Sequence, residues 1–161
     1  MPMKIRIAGL VPESFVDGAG VRFAIFMQGC KRRCRGCHNP QTHDLNGGRL
    51  MDTAEIIKLF QKDFLTSGIT LTGGEPILQA EAATELARAA HRYGMNVWCY
   101  TGYTLEELPP KAEPLLKSVD VLVDGEYREN ERDLSLLFRG SKNQRIIDMN
   151  ATRKLNKIVL W

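Results

Sequence analysis

The stretch VRFAIFMQGCKRRCRGCH, residues 21–38, joins a short apolar run directly to three closely spaced cysteines. Its first part, residues 21–28, is rich in strand-forming side chains, and Gly29 follows it. This pattern predicts a buried β-strand that leads straight into a loop. Cys30, Cys34 and Cys37 in that loop have the spacing C-x3-C-x2-C, so the loop is the first candidate for a functional site.

Segments typical of helices and of strands alternate after this loop. Asp52, with Glu55 three residues later, predicts the start of a helix. Glycines follow most of the apolar runs, as expected where strands and helices end. The predicted strands cover residues 69–72, 95–101 and 119–123, the predicted helices cover 79–93 and, interrupted by prolines, 105–117, and 145–149 and 157–161 are expected to be strands or extended segments.

This alternation predicts an α/β fold built from βαβ units with mostly parallel strands. Because so few units cannot easily close a sheet, we expect an open, partial (β/α) barrel. The length of 161 residues and the lack of a linker or repeat predict a single domain over residues 1–161. Loops at the carboxyl ends of parallel strands carry the site in such folds. The cysteine loop would then meet residues 73–76, 101–102 and 124–125 at one mouth.

The bulk composition is that of an ordinary globular domain, with 43% hydrophobic and 25% charged residues. A net charge of +3 is too small to indicate nucleic-acid binding. No apolar run approaches the ~18 residues needed to span a membrane, and the N-terminus has no signal-peptide pattern. We therefore expect a cytoplasmic protein with reduced thiols and without a nucleic-acid or membrane partner.

The three loop cysteines have two chemical interpretations. Thiolates are the usual ligands of iron–sulfur clusters, and three of them would leave the fourth iron of a cubane open to bind a substrate. The same cysteines with His38 or His43 would also make a structural zinc site. Cys99 lies in an apolar strand and is expected to be a core residue.

The loop is also basic, because Lys31, Arg32, Arg33 and Arg35 stand between and beside the cysteines. These cations would offset the thiolate charge, or present a positive rim to an acidic reductase or substrate. A solvated loop explains them equally well.

The cysteine loop followed by Gly-Gly-Glu-Pro at the next strand end resembles the radical S-adenosylmethionine superfamily. Within it, the chain is similar to the anaerobic ribonucleoside-triphosphate reductase activating proteins, short relatives of the pyruvate formate-lyase activating enzymes. Gly36 and Ala19 depart from the usual pattern, which has an aromatic residue and a proline at these places. The segments that carry the resemblance are DGAGVR (17–22), CKRRCRGCHNP (30–40), GITLTGGEP (68–76), WCYTGY (98–103), DVLVDG (120–125) and GSKNQRI (140–146).

The resemblance implies a radical-SAM type of partial barrel and two cofactors, a [4Fe–4S] cluster and S-adenosyl-L-methionine. Cys30, Cys34 and Cys37 would ligate the cluster. The adenosyl moiety would lie against Gly36, Cys37 and His38, and the methionyl amino and carboxylate groups against Gly73, Gly74 and Glu75.

The implied activity is that of an enzyme that cleaves S-adenosylmethionine reductively to a 5′-deoxyadenosyl radical. The radical would abstract hydrogen from a glycine of the anaerobic ribonucleotide reductase large subunit, with flavodoxin as the family's electron donor. Two alternatives stay open. One is a radical enzyme with a small-molecule substrate, similar to 7-carboxy-7-deazaguanine synthase, and the other is a non-enzymatic zinc or iron–sulfur module.

Overall fold

The computed structural model describes residues 3–161, which form one seven-stranded mixed sheet with helices packed against it. The strands are β1 Lys4–Ser14, β2 Arg22–Met27, β3 Arg49–Asp52, β4 Gly68–Gly73, β5 Asn96–Tyr100, β6 Val121–Asp124 and β7 Arg145–Asp148. The α-helices are α1 Thr53–Phe60, α2 Ala80–Arg92, α3 Glu113–Leu116 and α4 Met149–Leu155. The order across the sheet is β3-β1-β2-β4-β5-β6-β7.

The centre of the sheet is parallel and both sides are antiparallel. Strands β2, β4, β5 and β6 run parallel to one another. Strand β1 is antiparallel to β2 and β3, and β7 is antiparallel to β6. The prediction of mostly parallel strands is therefore wrong, because three of the six neighbouring pairs are antiparallel. The short connection of residues 15–21 explains one of them, since a parallel crossover needs a dozen residues or more.

The sheet is open, as predicted: within residues 3–161 the edge strands β3 and β7 do not pair with each other. Helix α1 begins at the expected place, with a capping box between Asp52 and Glu55. The long predicted helix is α2, preceded by a 3-10 turn over Pro76–Gln79. Strands β1 and β3 and helix α4 were not predicted. Strand β1 is difficult to recognise in the sequence because charged Lys4 and Arg6 alternate with its buried residues.

Successive side chains of the central strands point to opposite faces, as strand geometry requires. Ile69, Leu71, Val97 and Cys99 are fully buried in the core that contains the apolar face of α2. Cys99 is thus a core residue, as predicted. The other face carries Thr72, Trp98, Tyr100 and Val123 and is not covered by that helical layer. This inner face of the curved sheet holds the cavity described below. No helix in the described part of the chain is long and apolar enough to cross a bilayer.

Candidate active site

A cavity of about 550 Å³ opens on the inner face of the sheet. It lies at the carboxyl ends of the central strands, where parallel sheets place their sites. The cysteine loop after β2, the glycine-rich loop after β4 and the loop after β5 all contribute to its wall. The cavity-lining residues that were predicted from the sequence are Cys30, Cys34, Cys37, His38, Gly73, Gly74, Glu75, Thr101, Gly102 and Gly125.

The cysteine loop is closed by hydrogen bonds between its two ends. The N–H of Gly29 donates to the carbonyl of Thr42 at 2.7 Å, and the N–H of Cys30 to that of His43 at 3.2 Å. Within the loop, the N–H of Cys37 donates to the carbonyl of Cys34 at 3.1 Å. The loop therefore has a defined shape of its own, with its cysteines facing the cavity.

The three sulfur atoms share the cavity without meeting at one point. In the described residues, no three His, Cys, Asp or Glu side chains are grouped closely enough to hold a single metal ion. A structural zinc ion needs all its ligands around one centre. In a cubane, by contrast, each thiolate binds a different iron. Cys30, Cys34 and Cys37 line the cavity together with His38 and His43.

The surroundings of Cys34 disfavour its thiolate form. Burial raises the pKa of this thiol, and the negative charges of Glu126, Cys30 and Cys37 raise it further, although a hydrogen bond from the backbone of Tyr127 lowers it. Because metal ligands must be deprotonated, binding of a cation releases this proton.

Gly73 and Gly74 bring the end of β4 into direct contact with the strand that precedes the cysteines. A Cβ on Gly73 would lie 2.5 Å from the backbone nitrogen of Met27, and one on Gly74 would lie 2.3 Å from the carbonyl oxygen of Gly29. Gly73 also has φ +97°, a region that favours glycine. The N–H of Glu75 donates to the carbonyl of Gly29 at 2.8 Å. Only glycines allow this close approach.

Glu75 is almost fully buried, and its carboxylate is used to join two loops. One oxygen accepts from the N–H of Gly102 at 2.8 Å. The other accepts from the N–H of Ile77 at 3.1 Å and from the hydroxyl of Thr101 at 2.9 Å. Burial raises the pKa of this carboxyl, while these three donors and then the charge of Arg32 lower it. All three hydrogen bonds of the carboxylate are therefore made to the chain itself.

Arg32, from inside the cysteine loop, reaches across to the loops after β5 and β6. Its guanidinium carbon lies 4.4 Å from the centre of the Tyr103 ring, and Nη1 lies 3.5 Å from a carboxylate oxygen of Glu126. A Cβ on Gly102 would lie 2.6 Å from Cδ of Arg32. Arg32 thus packs over Gly102, a contact that the sequence did not predict.

His38 forms an aromatic wall with Tyr127. The two ring centres are 5.1 Å apart at an interplanar angle of 51°. A Cβ on Gly140 would lie 3.1 Å from the Tyr127 ring, so this glycine leaves room for the pair. Gly36 has φ +73° and packs against the side chain of Glu129. Tyr127 was missed because it lies between two recognised motifs, residues 120–125 and 140–146, and belongs to no pattern of its own.

Two acidic residues near strand ends have different positions. Asp17 lines the cavity. Asp124 lies instead beside a smaller polar pocket, where its carboxylate accepts from Nε of Arg145 at 3.0 Å and from the N–H of Leu105 at 2.8 Å. Of the predicted pair, Gly125 reaches the main cavity and Asp124 supports the loop behind it.

Two polar groups near the site, one in His43 and one in Arg22, are buried although such groups usually contact water. Nε2 of His43 is buried and has no hydrogen-bond partner among the described residues. The Arg22 guanidinium is fully buried and donates to Thr70, to the carbonyls of Ala19 and Ile69 and to the side chain of Asn96. Burial lowers the pKa of Arg22 to about 10. Arg22 thus fixes the starts of three central strands and the glycine-rich loop before β2.

Comparison with known proteins first defines the class. A family model described as "4Fe-4S single cluster domain" matches residues 16–147, a range that contains the whole cysteine loop and the Gly-Gly-Glu segment. The chain is therefore a member of the single-cluster 4Fe-4S domain class.

Individual relatives identify the family of this chain more specifically than the class does. Proteins named anaerobic ribonucleoside-triphosphate reductase-activating protein are 37% identical over 145 residues in Pasteurella multocida, covering 83% of this chain and 90% of the relative. The Escherichia coli K12 protein is 33% identical over 142 residues (83% and 92%), and that of enterobacteria phage T4 is 35% identical over 144 residues (85% and 90%). The chain belongs to the family of anaerobic ribonucleoside-triphosphate reductase-activating proteins, which confirms the resemblance predicted from its motifs.

A solved structure supports the fold. QueE from Escherichia coli matches with a TM-score of 0.50 at 15% sequence identity, over 63% of this chain and 54% of QueE. The match spans about half the length of QueE, and at this identity it concerns the fold alone.

Proposed function

We propose that this chain is a radical-SAM activating enzyme for an anaerobic ribonucleoside-triphosphate reductase. It holds a [4Fe–4S] cluster on Cys30, Cys34 and Cys37, binds S-adenosylmethionine beside it, and generates a glycyl radical on the reductase. The observation that carries this proposal is that the three thiols and the Gly-Gly-Glu segment line one cavity. Family membership supplies the partner, because the relatives are named as activators of that reductase.

The bound cofactors supply a low-potential electron and, from S-adenosylmethionine, a 5′-deoxyadenosyl radical that removes hydrogen from glycine. The chain supplies binding, orientation and exclusion of water. Cys30, Cys34 and Cys37 would hold three irons and leave the fourth without a protein ligand, free to bind a substrate. The loop that carries these cysteines is closed by hydrogen bonds and faces the cavity.

The glycine-rich loop after β4 is the proposed methionyl site. Gly73 and Gly74 line the cavity without side chains, so the methionyl amino and carboxylate groups can approach this loop closely. The N–H groups of Gly74 and Glu75 already donate to the carbonyls of Met27 and Gly29, so the loop offers acceptors to the amino group. Glu75 contributes charge next to the ammonium group, and its bonds to Thr101 and Gly102 fix the loop. Removing Glu75 would thus disturb both the charge and the shape of the site.

The aromatic wall is the proposed adenosyl site. The His38 and Tyr127 rings lie at the cavity edge, and either ring offers a face on which a purine can stack. Gly36 and Cys37 directly precede His38, so a purine stacked on the His38 ring would lie next to the cluster ligands.

We also infer that residues 1–161 act as one domain of the radical-SAM partial-barrel type. Its reduced thiols suit the cytoplasm, where a donor such as flavodoxin would supply the electron.

The proposal is tested by anaerobic cluster assembly. The wild-type protein should bind about four irons, its reduced electron paramagnetic resonance spectrum should change on addition of S-adenosylmethionine, and incubation with the reductase should give 5′-deoxyadenosine and a glycyl radical signal. Cys34→Ala should lose the cluster and the cleavage together. Cys99→Ala is the matched control and should keep both, because Cys99 is buried in the core on the other face.

Three outcomes would contradict the proposal. A protein that binds zinc and no iron would be the non-enzymatic alternative. A complete cluster that does not respond to S-adenosylmethionine would be an electron carrier. Formation of 5′-deoxyadenosine without a protein radical, together with a modified small molecule, would identify the other class of radical enzyme.

A further inference from the structure

Six large apolar side chains in the described residues are more than two thirds exposed, and four of them line the same cavity. Phe15 (68%), Val16 (75%), Leu134 (81%) and Leu137 (72%) belong to the cavity wall, whereas Phe64 and Leu65 lie elsewhere. Single exposed apolar residues are normal on a protein surface, but a group of them at the edge of a site marks an interaction surface. We call Phe15, Val16, Leu134 and Leu137 the apolar lip.

The apolar lip comes from two connections that are held in place. On one side, the backbone carbonyl of Asp17, next to Val16, accepts from the hydroxyl of Thr70 at 2.7 Å. On the other side, the carbonyl of Phe138, next to Leu137, accepts from the hydroxyl of Tyr100 at 2.6 Å. Binding to such a surface requires little further ordering of the chain, which favours affinity.

The loop that carries the two leucines is also anchored by aromatic packing. The Phe138 ring lies 5.4 Å from that of Trp98 and 6.1 Å from that of Trp161, both edge-on. Within the loop, the N–H and the hydroxyl of Ser135 both donate to the carboxylate of Asp133. Leu134 and Leu137 are therefore exposed, while the residues next to them in the loop are held by hydrogen bonds and aromatic contacts.

From these contacts we infer that the apolar lip binds the glycine-bearing segment of the reductase through apolar side chains that flank the glycine. This inference rests on the proposed function. The glycine must reach into the cavity close to the cysteine loop, so the residues on either side of it must pass the rim. The sulfonium, amino and carboxylate groups of S-adenosylmethionine are charged and do not favour contact with leucine, valine and phenylalanine, and its purine is assigned above to His38 and Tyr127. An apolar protein segment is therefore the occupant that matches the apolar lip.

The test compares two double variants with matched exposure. Leu134→Ser with Leu137→Ser removes half of the apolar lip. Phe64→Ser with Leu65→Ser is the control, because these side chains are 96% and 81% exposed and lie between α1 and β4, at the opposite end of β4 from the cavity. Both proteins are assembled with their cluster, and iron content and melting temperature are checked first.

The lip variant should raise the Kd for the whole reductase about tenfold or more, the range expected for loss of central apolar contacts. It should raise the KM for the reductase in glycyl-radical formation and leave the spectroscopic response to S-adenosylmethionine unchanged. The control should match the wild type in all three. A synthetic peptide covering the reductase glycine should compete with the reductase, and should lose this ability when its apolar flanking residues are replaced by serine.

Several results would overturn the inference. One is an unchanged Kd in the lip variant, and another is an equal loss in the control. A change in the oligomeric state of the lip variant with no change in reductase Kd would assign the surface to a second copy of this chain. These results differ from failure of the proposed function, in which the wild type itself forms no glycyl radical on the reductase.

Discussion

Replacement of Gly74 by alanine probes the contact between the glycine-rich loop and the cysteine loop. The added Cβ would lie 2.3 Å from the carbonyl oxygen of Gly29 and 2.8 Å from its carbonyl carbon. An ordinary C···O contact is about 3.3 Å or longer, so the two backbones must separate by roughly 1 Å. That movement breaks the hydrogen bond from the N–H of Glu75 to the same carbonyl, now 2.8 Å long.

The cost can be worked out from these contacts. Overpacking of a rigid site costs about 1–3 kcal/mol, and loss of the hydrogen bond adds about 1 kcal/mol. For a protein of this size, 1 kcal/mol corresponds to about 2–4 °C in melting temperature. Gly74→Ala should therefore melt about 5–15 °C lower. Because a shift of 1 Å in reacting groups can cost about a hundredfold in rate, cleavage of S-adenosylmethionine should fall further than stability.

The assay is thermal unfolding of the cluster-loaded protein, followed by measurement of 5′-deoxyadenosine formation. Gly9→Ala is the matched control, because no described atom lies within 4 Å of a Cβ placed there, and neither glycine has a positive φ. The steric reasoning is refuted if Gly74→Ala melts within about 2 °C of the wild type, on the size scaling used above, and cleaves at the same rate.

Three further predictions concern single side chains. Glu75→Gln keeps the shape of the side chain but replaces one accepting oxygen by an NH2 group that faces an N–H or O–H donor. The free energy of unfolding should therefore fall by about 2–3 kcal/mol; equal melting temperatures of variant and wild type would contradict this. Cys99→Ala should lose only about 1 kcal/mol in the same scans and keep its full iron content, whereas loss of iron would make Cys99 a ligand. Burial raises the pKa of Asp120, but bonds from Asn150, His91 and a backbone N–H outweigh it and lower this pKa below its usual 3.8. The stability gained is present above about pH 4 and is lost as the pH falls through the lower, folded-state pKa. Asp120→Asn should thus lower the melting temperature near pH 7 by a few degrees and lose this difference near pH 2–3; a difference that does not depend on pH would count against this assignment.

The parts of the fold that the sequence predicted have a strong local signal. The strand before Cys30 is a continuous apolar run, and helix α2 is rich in alanine with a glycine after it. Strand β1 was missed because its buried residues Ile5 and Ile7 alternate with Lys4 and Arg6. Charged residues at the start of a chain are also typical of an unstructured terminus. Antiparallel pairing at the two sides of the sheet is a property of connections, which local patterns do not contain.

The parts of the candidate site that could be predicted are those whose functional residues lie close together in the sequence. Three cysteines in one loop and two adjacent glycines are such patterns, and the structure places both at one cavity. Contacts between distant segments were not predictable: Arg32 packs over Tyr103, and Tyr127 contacts His38 at the edge of the cavity, although both pairs are far apart in the sequence. These pairs arise only when the central strands are side by side.

The hydrogen-bonded ends of the cysteine loop have a consequence for how the protein matures. The loop leaves the sheet at Gly29 and returns at Thr42 and His43, where backbone hydrogen bonds close it. The side-chain amide of Gln28 adds bonds to the carbonyls of Gln41 and Asp44. Because these bonds are made by the chain itself, we expect the strands to fold before iron binds, unlike small zinc domains that are unfolded without their metal. A chain that has lost its inorganic core to oxygen should stay intact as a scaffold and accept a new one, with amide-exchange differences confined to residues 29–43.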